Sequence, residues 1–415
     1  MTWSRSDNEI LATLQELVAI DSVNPALPGG QQGESAMVEY LSSFFTGLDI
    51  PYELSEVRPG RHNFIARIEG ENPKHKLLFE CHMDTASAEV MTIPPFEPHI
   101  RDGLLYGRGS CDTKAGGAAM IHAIKRLREA NITPPRTILY AGTIDEEAFF
   151  AGTNHLAEHL DVEAAVISEP TDLNVVRAHK GAVRFYLTVT GKAAHSAKPH
   201  LGINAITKMA RLIIRIEEEI SPQYAELSYP LLGNPTFNVG TIKGGAQVNF
   251  VADQCRIAID CRLIPGQTPE GVVEGFKEVI ARATAEDDAL DAAVEDPFFV
   301  CAALGTDEDA HIVSSAAEAC RAVLRRGHHI RRALCHRRQP FLCPWRAHHR
   351  LGAGQHRPSA RGRRVGRLPT GPAGCRYLPA DHATLRLRLR LRAIPPSIAP
   401  SAPPAFRDRG WAIRS

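Results

Sequence analysis

His82, Asp112, Glu147 and Glu169 are four side chains whose types suit a divalent cation. They stand in the segments Leu78-Phe79-Glu80-Cys81-His82-Met83-Asp84, Gly109-Ser110-Cys111-Asp112-Thr113-Lys114, Ile144-Asp145-Glu146-Glu147 and Ile167-Ser168-Glu169-Pro170. Each polar group follows a stretch that reads as a buried strand or the loop leaving one. Hard-to-borderline cations take oxygen and imidazole ligands, and a pair of ions needs a carboxylate between them. Asp112 suits that bridge, because a short carboxylate in a tight loop presents both oxygens. Asp84, two residues past His82, can hold the imidazole as an outer partner. In Glu146-Glu147 one carboxylate can bind metal while the other accepts a proton from the bound water, whose pKa two cations bring towards about 7. Taken singly, a His-x-Asp is an ordinary polar loop, a Glu-Glu pair a solvated turn and Glu169 a neighbour of a helix N-cap. Together, in this order and each at a strand end, they point to metal.

The elements that would position these groups alternate. Helical periodicity runs over 7–19, with Leu11, Leu14 and Leu17 on one face, and over 34–46. Strands are predicted at 63–68, 76–81, 137–142 and 164–168, with helices at 113–130 and 154–159; the first of these two opens on Ala115-Gly116-Gly117-Ala118-Ala119. Strands alternating with helices predict an α/β domain with a mainly parallel sheet flanked by helices. After Asp172 the pattern changes: strands at 182–190, 236–242 and 254–263 and helices at 203–220 and 269–282 predict a compact α+β domain inserted into the first. The acidic segment 283–296 is expected to return the chain to the first sheet, and 309–324 reads as a helix. The expected division is 1–176 for the first part of the catalytic domain, 177–290 for the inserted domain and 291–324 for the return segment.

The chain has 415 residues, enough for two domains with real cores, and its 44% hydrophobic and 23% charged content is ordinary for a globular protein. No run of about 18 apolar residues predicts a membrane span, and the amphipathic N-terminus lacks the apolar core of a signal peptide, so a cytoplasmic location is expected. Nine cysteines without CxxC pairs read as free, buried thiols rather than a disulfide framework. The net charge of +1 hides an asymmetry: residues 325–415 carry 21 Arg and two Asp with no Lys or Glu, so the preceding 324 residues are strongly acidic.

The four metal-suited segments resemble the M20 metallopeptidase/deacylase family, in particular its acetylornithine deacetylase/succinyl-diaminopimelate desuccinylase branch, which the run Tyr106-Gly107-Arg108-Gly109-Ser110-Cys111-Asp112 matches best. The resemblance covers about 7–324. It implies a zinc hydrolase with two ions, cobalt being a possible substitute: His82 and Glu169 on the first, Asp112 bridging, and Glu147 on the second. It further implies Glu146 as general base, Asp84 orienting His82, and a lid/dimerisation role for the inserted domain. There, Gly191-Lys192-Ala193-Ala194-His195-Ser196-Ala197 matches the motif whose histidine reaches a neighbouring site and steadies the oxyanion. Asn249 and Arg262 fall where the family contacts substrate; Arg262 can grip a carboxylate in bidentate fashion or serve as a salt-bridge partner. The implied substrate is a small N-acyl amino acid, with dipeptidase or carboxypeptidase action as the alternative, and a homodimer is expected without nucleic-acid or membrane partners.

The family's last motif, Ala-His-x-x-Asp-Glu, supplies the second ion's histidine, and nothing after Leu324 matches it. The tail is either a basic nucleic-acid-binding extension, a histidine metal cluster, or coding sequence read out of frame, for which Arg, Pro, Ala and Gly richness with scarce Lys and Glu is typical of GC-rich DNA. Gln355 onward can be written with permitted codons so that reading one base later gives Asn-Ile-Ala-Gln-Ala-His-Gly-Ala-Asp-Glu-Trp-Val-Asp. The lost histidine then straddles the codons of Ala360 and Arg361. A frameshift just after Val323 or Leu324 is expected, leaving 325–415 disordered or misfolded and the second zinc site one ligand short.

Overall fold

The structure, a computed structural model, describes residues 5–324 and the two-residue strand Leu342–Cys343. The predicted tail therefore lies, apart from that strand, outside the described residues. The chain begins with α1 (Arg5–Ala19), α2 (Ser35–Gly47), β1 (Tyr52–Arg58), β2 (Arg61–Ile68) and β3 (Asn72–His82). A small hairpin, β4 (His99–Arg101) and β5 (Leu104–Tyr106), precedes α3 (Lys114–Glu129), β6 (Arg136–Thr143), α4 (Ala151–His159) and β7 (Ala164–Ile167). A short β8 (Ala178–His179) leads to β9 (Gly181–Thr190), α5 (Ala205–Glu226), β10 (Thr236–Gly244), β11 (Gln254–Leu263) and α6 (Pro269–Glu286). There follow β12 (Asp291–Val294), β13 (Phe299–Cys301), β14 (Leu304–Gly305), α7 (His311–Leu324) and β15 (Leu342–Cys343).

The first sheet has the order β1-β2-β6-β3-β7-β15. It is mixed rather than mainly parallel: β3 runs parallel to β6 and β7, while β1, β2 and β15 join antiparallel. The parallel strands are those whose crossovers are helices, as chain connectivity requires. β1 and β2 form a hairpin that sequence periodicity showed only in part, because exposed β1 lacks a buried face. One side of the sheet packs Phe64, Cys81 and Tyr140 against Leu17, Leu41, Phe45 and Ile121 of the helices; the other buries Leu78, Leu139 and Ala165 under Leu156 of α4.

The second sheet, β10-β11-β9-β12 with β13 also on β9, is antiparallel throughout. Along β9, Val183, Phe185, Leu187 and Val189 alternate inward against Met209, Leu212 and Ile216 of α5 and Phe276 of α6, which leaves the opposite face without a helix from this pair. The acidic segment 283–296 does not return to the first sheet. It completes α6 and supplies β12, paired with β9 from Asp291↔Thr190 to Val294↔Leu187. The chain leaves the second sheet after β13, and β14 then pairs with β8 in a separate two-stranded sheet. Cys81, Cys255 and Cys261 are buried free thiols, and Cys111, Cys301 and Cys320 are half-buried and free.

Candidate metal centre

His82, the Glu146-Glu147 turn and Glu169 all leave the carboxyl ends of the adjacent strands β3, β6 and β7, the edge of an α/β sheet where loops gather side chains around a ligand. The ladder continues past the strands: the Met83 N–H donates to the Thr143 carbonyl at 2.8 Å and the Ser168 N–H to the Glu80 carbonyl at 3.0 Å, so these loop starts stay in register. Asp112 arrives from the loop before α3. Glycine at the first turn of that helix has a packing reason, since a Cβ on Gly116 would sit 2.4 Å from Cβ of Ser168.

His82, Asp112 and Glu169 converge, each offering a ligand atom within 4.8 Å of the others. Nε2 of His82 lies 3.2 Å from Asp112 Oδ1, 3.5 Å from Glu169 Oε1 and 3.9 Å from Glu146 Oε2. Glu147 is outside this group; it is half-buried and held through its backbone. His82 Nδ1 is 2.9 Å from the Asp84 carbonyl oxygen and 3.6 Å from its Oδ1. The Asp84 carboxylate instead accepts the N–H groups of Glu146 and Glu147, both at 3.0 Å, and Nδ2 of Asn24 at 2.7 Å.

That carboxylate belongs to a buried network that sequence did not reveal. Asn24 also donates to Asp145 at 3.0 Å, whose side chain meets Arg58 and Arg61. Arg61 grips Glu34 with Nε at 2.9 Å and Nη2 at 2.6 Å, and Glu34 accepts the Asp145 N–H. Asp145, at a φ of 68°, is thereby held in the left-handed region at the start of the Glu146-Glu147 turn. Lys114 was also missed: it is buried, and its ammonium donates to the Leu17 and Ile20 carbonyls at 2.8 Å each, tying the Asp112 loop to the end of α1. Partners separated by 27 to 121 residues leave no local signal, although Asp145, next to Glu146, and Lys114, two residues past Asp112, stood beside recognised motifs.

The electrostatics ask for a cation. Burial pushes the Glu146 carboxyl up to about 7, with Glu147, Asp84 and Asp112 adding to it and His82 opposing. Glu169 is likewise raised by burial, then by Asp112 and Glu146, against the pull of His82. Burial would lower His82, but its contacts with Asp112 and Asp84 outweigh that and hold it well above the usual imidazole range. Glu146 and Glu169 thus keep their charge poorly beside one imidazole nitrogen without added positive charge. One nitrogen with two or three carboxylate oxygens is a donor set that fits a divalent transition metal.

The remaining predicted residues lie elsewhere. His195 is exposed on the loop after β9, where Nδ1 accepts the Ala197 N–H at 3.1 Å and the ring meets Phe250 edge-on at 6.1 Å. Asn249 is exposed beside it, its carbonyl accepting the Ser196 N–H at 3.0 Å. Arg262 is on β11 and binds Asp260 through Nε and Nη2 at 3.2 and 2.9 Å. His195 is not among the side chains gathered around His82.

Residues 177–288 match the peptidase dimerisation domain, and 63–211 match peptidase family M28. The acetylornithine deacetylase of Vibrio campbellii (strain ATCC BAA-1116) is 33% identical over 284 residues, 66% of this chain and 74% of that protein. A probable succinyl-diaminopimelate desuccinylase of Staphylococcus aureus (strain MRSA252) is 29% identical over 69% of this chain and 75% of its own length. Among solved structures, the aminopeptidase PepT of Bacillus cereus ATCC 10987 superposes with a TM-score of 0.61 at 25% identity, covering 76% of this chain and 82% of that one. The M20 family metallo-carboxypeptidase Sso-CP2 of Sulfolobus solfataricus shares the fold, with a TM-score of 0.57 at 20% identity, 76% of this chain and 83% of its own. The two-sheet fold and the acid–histidine centre are those of a metal-dependent hydrolase. The chain belongs to the M20 family of peptidases and deacylases. No helix among the described residues is long and apolar enough to cross a membrane.

Proposed function

We propose that this protein hydrolyses the amide bond of small N-acyl amino acids, as its relatives named acetylornithine deacetylase and succinyl-diaminopimelate desuccinylase do by their names. The observation that carries the reading is the convergence of His82, Asp112 and Glu169 with Glu146 at 3.9 Å from the same imidazole nitrogen. Zinc is the ion this nitrogen–oxygen set would hold, with Glu147 serving a second ion. Zinc supplies Lewis acidity, polarising a carbonyl and making water more acidic. Glu146, a carboxyl poised near neutrality, takes the proton from the attacking water and passes it to the leaving amine. Asp84 fixes both sides of this arrangement: its carbonyl orients His82 while its carboxylate sets the turn that carries Glu146. His195 is the donor for the oxyanion, with Asn249 and Arg262 contacting substrate.

The domain reading, moved at its second boundary because β12 and β13 pair with β9, is that 1–176 and 302–324 build the catalytic domain and 177–301 the lid, through which two copies pair in the cytoplasm. We further propose that 325–415 is read out of frame, so the chain as written lacks the second ion's histidine and is impaired. Dipeptide hydrolysis is the second reading, favoured by the fold shared with the aminopeptidase PepT. A panel of N-acetylornithine, N-succinyl-diaminopimelate and simple dipeptides, given to the protein made from the restored frame, separates them. Turnover of the N-acyl amino acids at least tenfold above that of dipeptides is expected; the reverse order overturns the first reading.

A further inference from the structure

Glu146 and Glu147 ride on a loop between β6 and α4 that closes on itself. The Gly152 N–H donates to the Ile144 carbonyl at 3.1 Å, and the Asp145 carbonyl accepts the N–H groups of Phe149 and Phe150 at 3.1 and 2.7 Å. Asn63 on β2 clasps both ends: its Oδ1 accepts the Ile144 N–H at 3.1 Å, and its Nδ2 donates to the Gly152 carbonyl at 2.8 Å. A Cβ at Gly152 would lie 2.5 Å from the Ile144 nitrogen, so glycine is what lets the ends meet. The clasp fixes where the loop starts and stops. How Asp145 turns is a separate matter, and the backbone of that residue decides where Glu146 points.

Arg61 supplies the restraint on Asp145. It stands two positions before Asn63 on β2, so both side chains project from one face of the strand. Its two-pronged bond to Glu34 leaves Oε1 placed to accept the Asp145 N–H at 3.2 Å. Arg61 Nη2 also lies 3.5 Å from Asp145 Oδ1. The side chains of Glu34 and Asp145 are 2% and 1% exposed, so both carboxylates are out of water. In such surroundings desolvation offsets most of the attraction within an ion pair, and its net contribution to stability is small. What the pair provides is geometry. It is a fixed acceptor that keeps Asp145 at its positive φ, a conformation that a residue with a side chain holds only when its neighbours require it.

We propose that Arg61 is a positioning residue for the reaction: acting through Glu34, it sets the Asp145 backbone and thereby aims the Glu146 carboxylate at the attacking water. The inference rests on the reading of Glu146 as the general base. A displacement of about 1 Å at a reacting group costs about 100-fold in rate. Loosening of this turn should therefore appear in kcat rather than in KM.

Hydrogen exchange on the full chain tests the restraint without a substrate. In Arg61→Met the N–H groups of Asp145, Glu146 and Glu147 should exchange about tenfold faster or more, while those of the β9–β11 ladder keep their rates. Because Arg61→Met strands a buried carboxylate and can unfold the chain, Glu34→Met with Arg61→Met is measured beside it. That double variant replaces the pair by apolar side chains, an exchange that buried ion pairs often tolerate, and should loosen the same turn. In the enzyme made from the restored frame, Arg61→Met should lower kcat about 10- to 100-fold with KM within about threefold and zinc content unchanged. Arg61→Lys, which keeps the charge but not the fork, should lie between. Arg67→Met, on the same strand and paired with Glu69 at the surface, should match the unaltered enzyme. Unchanged exchange at the turn, exchange raised equally over both sheets, or a loss confined to KM overturns the proposal. Turnover of dipeptides in place of N-acyl amino acids overturns the N-acyl reading and leaves these expectations for Arg61 in force.

Discussion

Asp84 reaches His82 through its main chain: its carbonyl oxygen is 2.9 Å from Nδ1, against 3.6 Å for the nearer carboxylate oxygen. The carboxylate is thereby left to receive the two N–H groups of the Glu146-Glu147 turn. Asp84→Asn should then hurt the turn more than the imidazole. An amide nitrogen facing donors leaves buried N–H groups unmet, a cost of about 1–3 kcal/mol. Urea denaturation should show that loss, while affinity for the first ion stays within about tenfold, the lower range seen for outer-shell changes. A much larger loss of metal affinity with unchanged stability would mean that the carboxylate serves His82 directly.

Proton release should accompany metal binding. In the metal-free protein His82 is held well above its usual range and Glu169 is raised, so both ligands carry protons near neutrality that metal binding must displace. Calorimetric titration with zinc at pH 7 in buffers of different ionisation enthalpy should report net release. Zero exchange or uptake would contradict this account.

The same shifts set the pH dependence of metal-free stability. Glu146 has a folded value of about 7 against an ordinary 4.5, so the unfolded chain loses its proton first as pH rises. Its contribution is complete below about 4.5 and disappears as pH passes through about 7. Glu146→Gln should remove this dependence and stabilise the metal-free protein at pH 8 by up to about 3 kcal/mol, the linkage equivalent of that shift. Thermal melts at pH 5 and pH 8 check it. In the frame-restored enzyme the same substitution should lower kcat by about 10²–10⁴, the usual span for a lost proton-transfer group, with zinc content unchanged.

Lys114 offers a structural test. Its folded value falls to about 7 because burial disfavours the ammonium, yet its donors satisfy the last carbonyls of α1. Lys114→Ala removes those bonds and opens a cavity beside Gly109, for a loss of about 2–4 kcal/mol in urea denaturation.

The site was legible where chemistry follows local pattern. His82, Asp112 and Glu169 announced themselves because each ends a strand or opens a helix, and period-two and period-3.6 signals located those ends. The parallel character of the first sheet was overestimated because β1, exposed at five of its seven residues, was not read as a strand. Segment 283–296 was assigned to the wrong sheet because Asp291–Val294 is an edge strand whose partner, β9, lies about 100 residues earlier. The Glu34–Arg61–Asp145–Asn24–Asp84 chain consists of polar contacts made across the fold, and no spacing rule reaches them. The stretch where the second ion's histidine was expected, after Leu324, lies outside the described residues apart from Leu342–Cys343. Sequencing the gene across codons 315–390 should show a single-base slip after which the Ala-His-x-x-Asp-Glu motif is in frame; an uninterrupted frame would remove that explanation.

The central claim is that His82, Asp112 and Glu169 hold a divalent cation. Competition of the metal-free protein with a chromophoric chelator for zinc tests it most directly, comparing the unaltered chain with His82→Ala and with the surface control His311→Ala. The account predicts one tightly held ion in the unaltered chain and in the control, and at least a hundredfold weaker binding in His82→Ala. Equal zinc affinity in all three would contradict it.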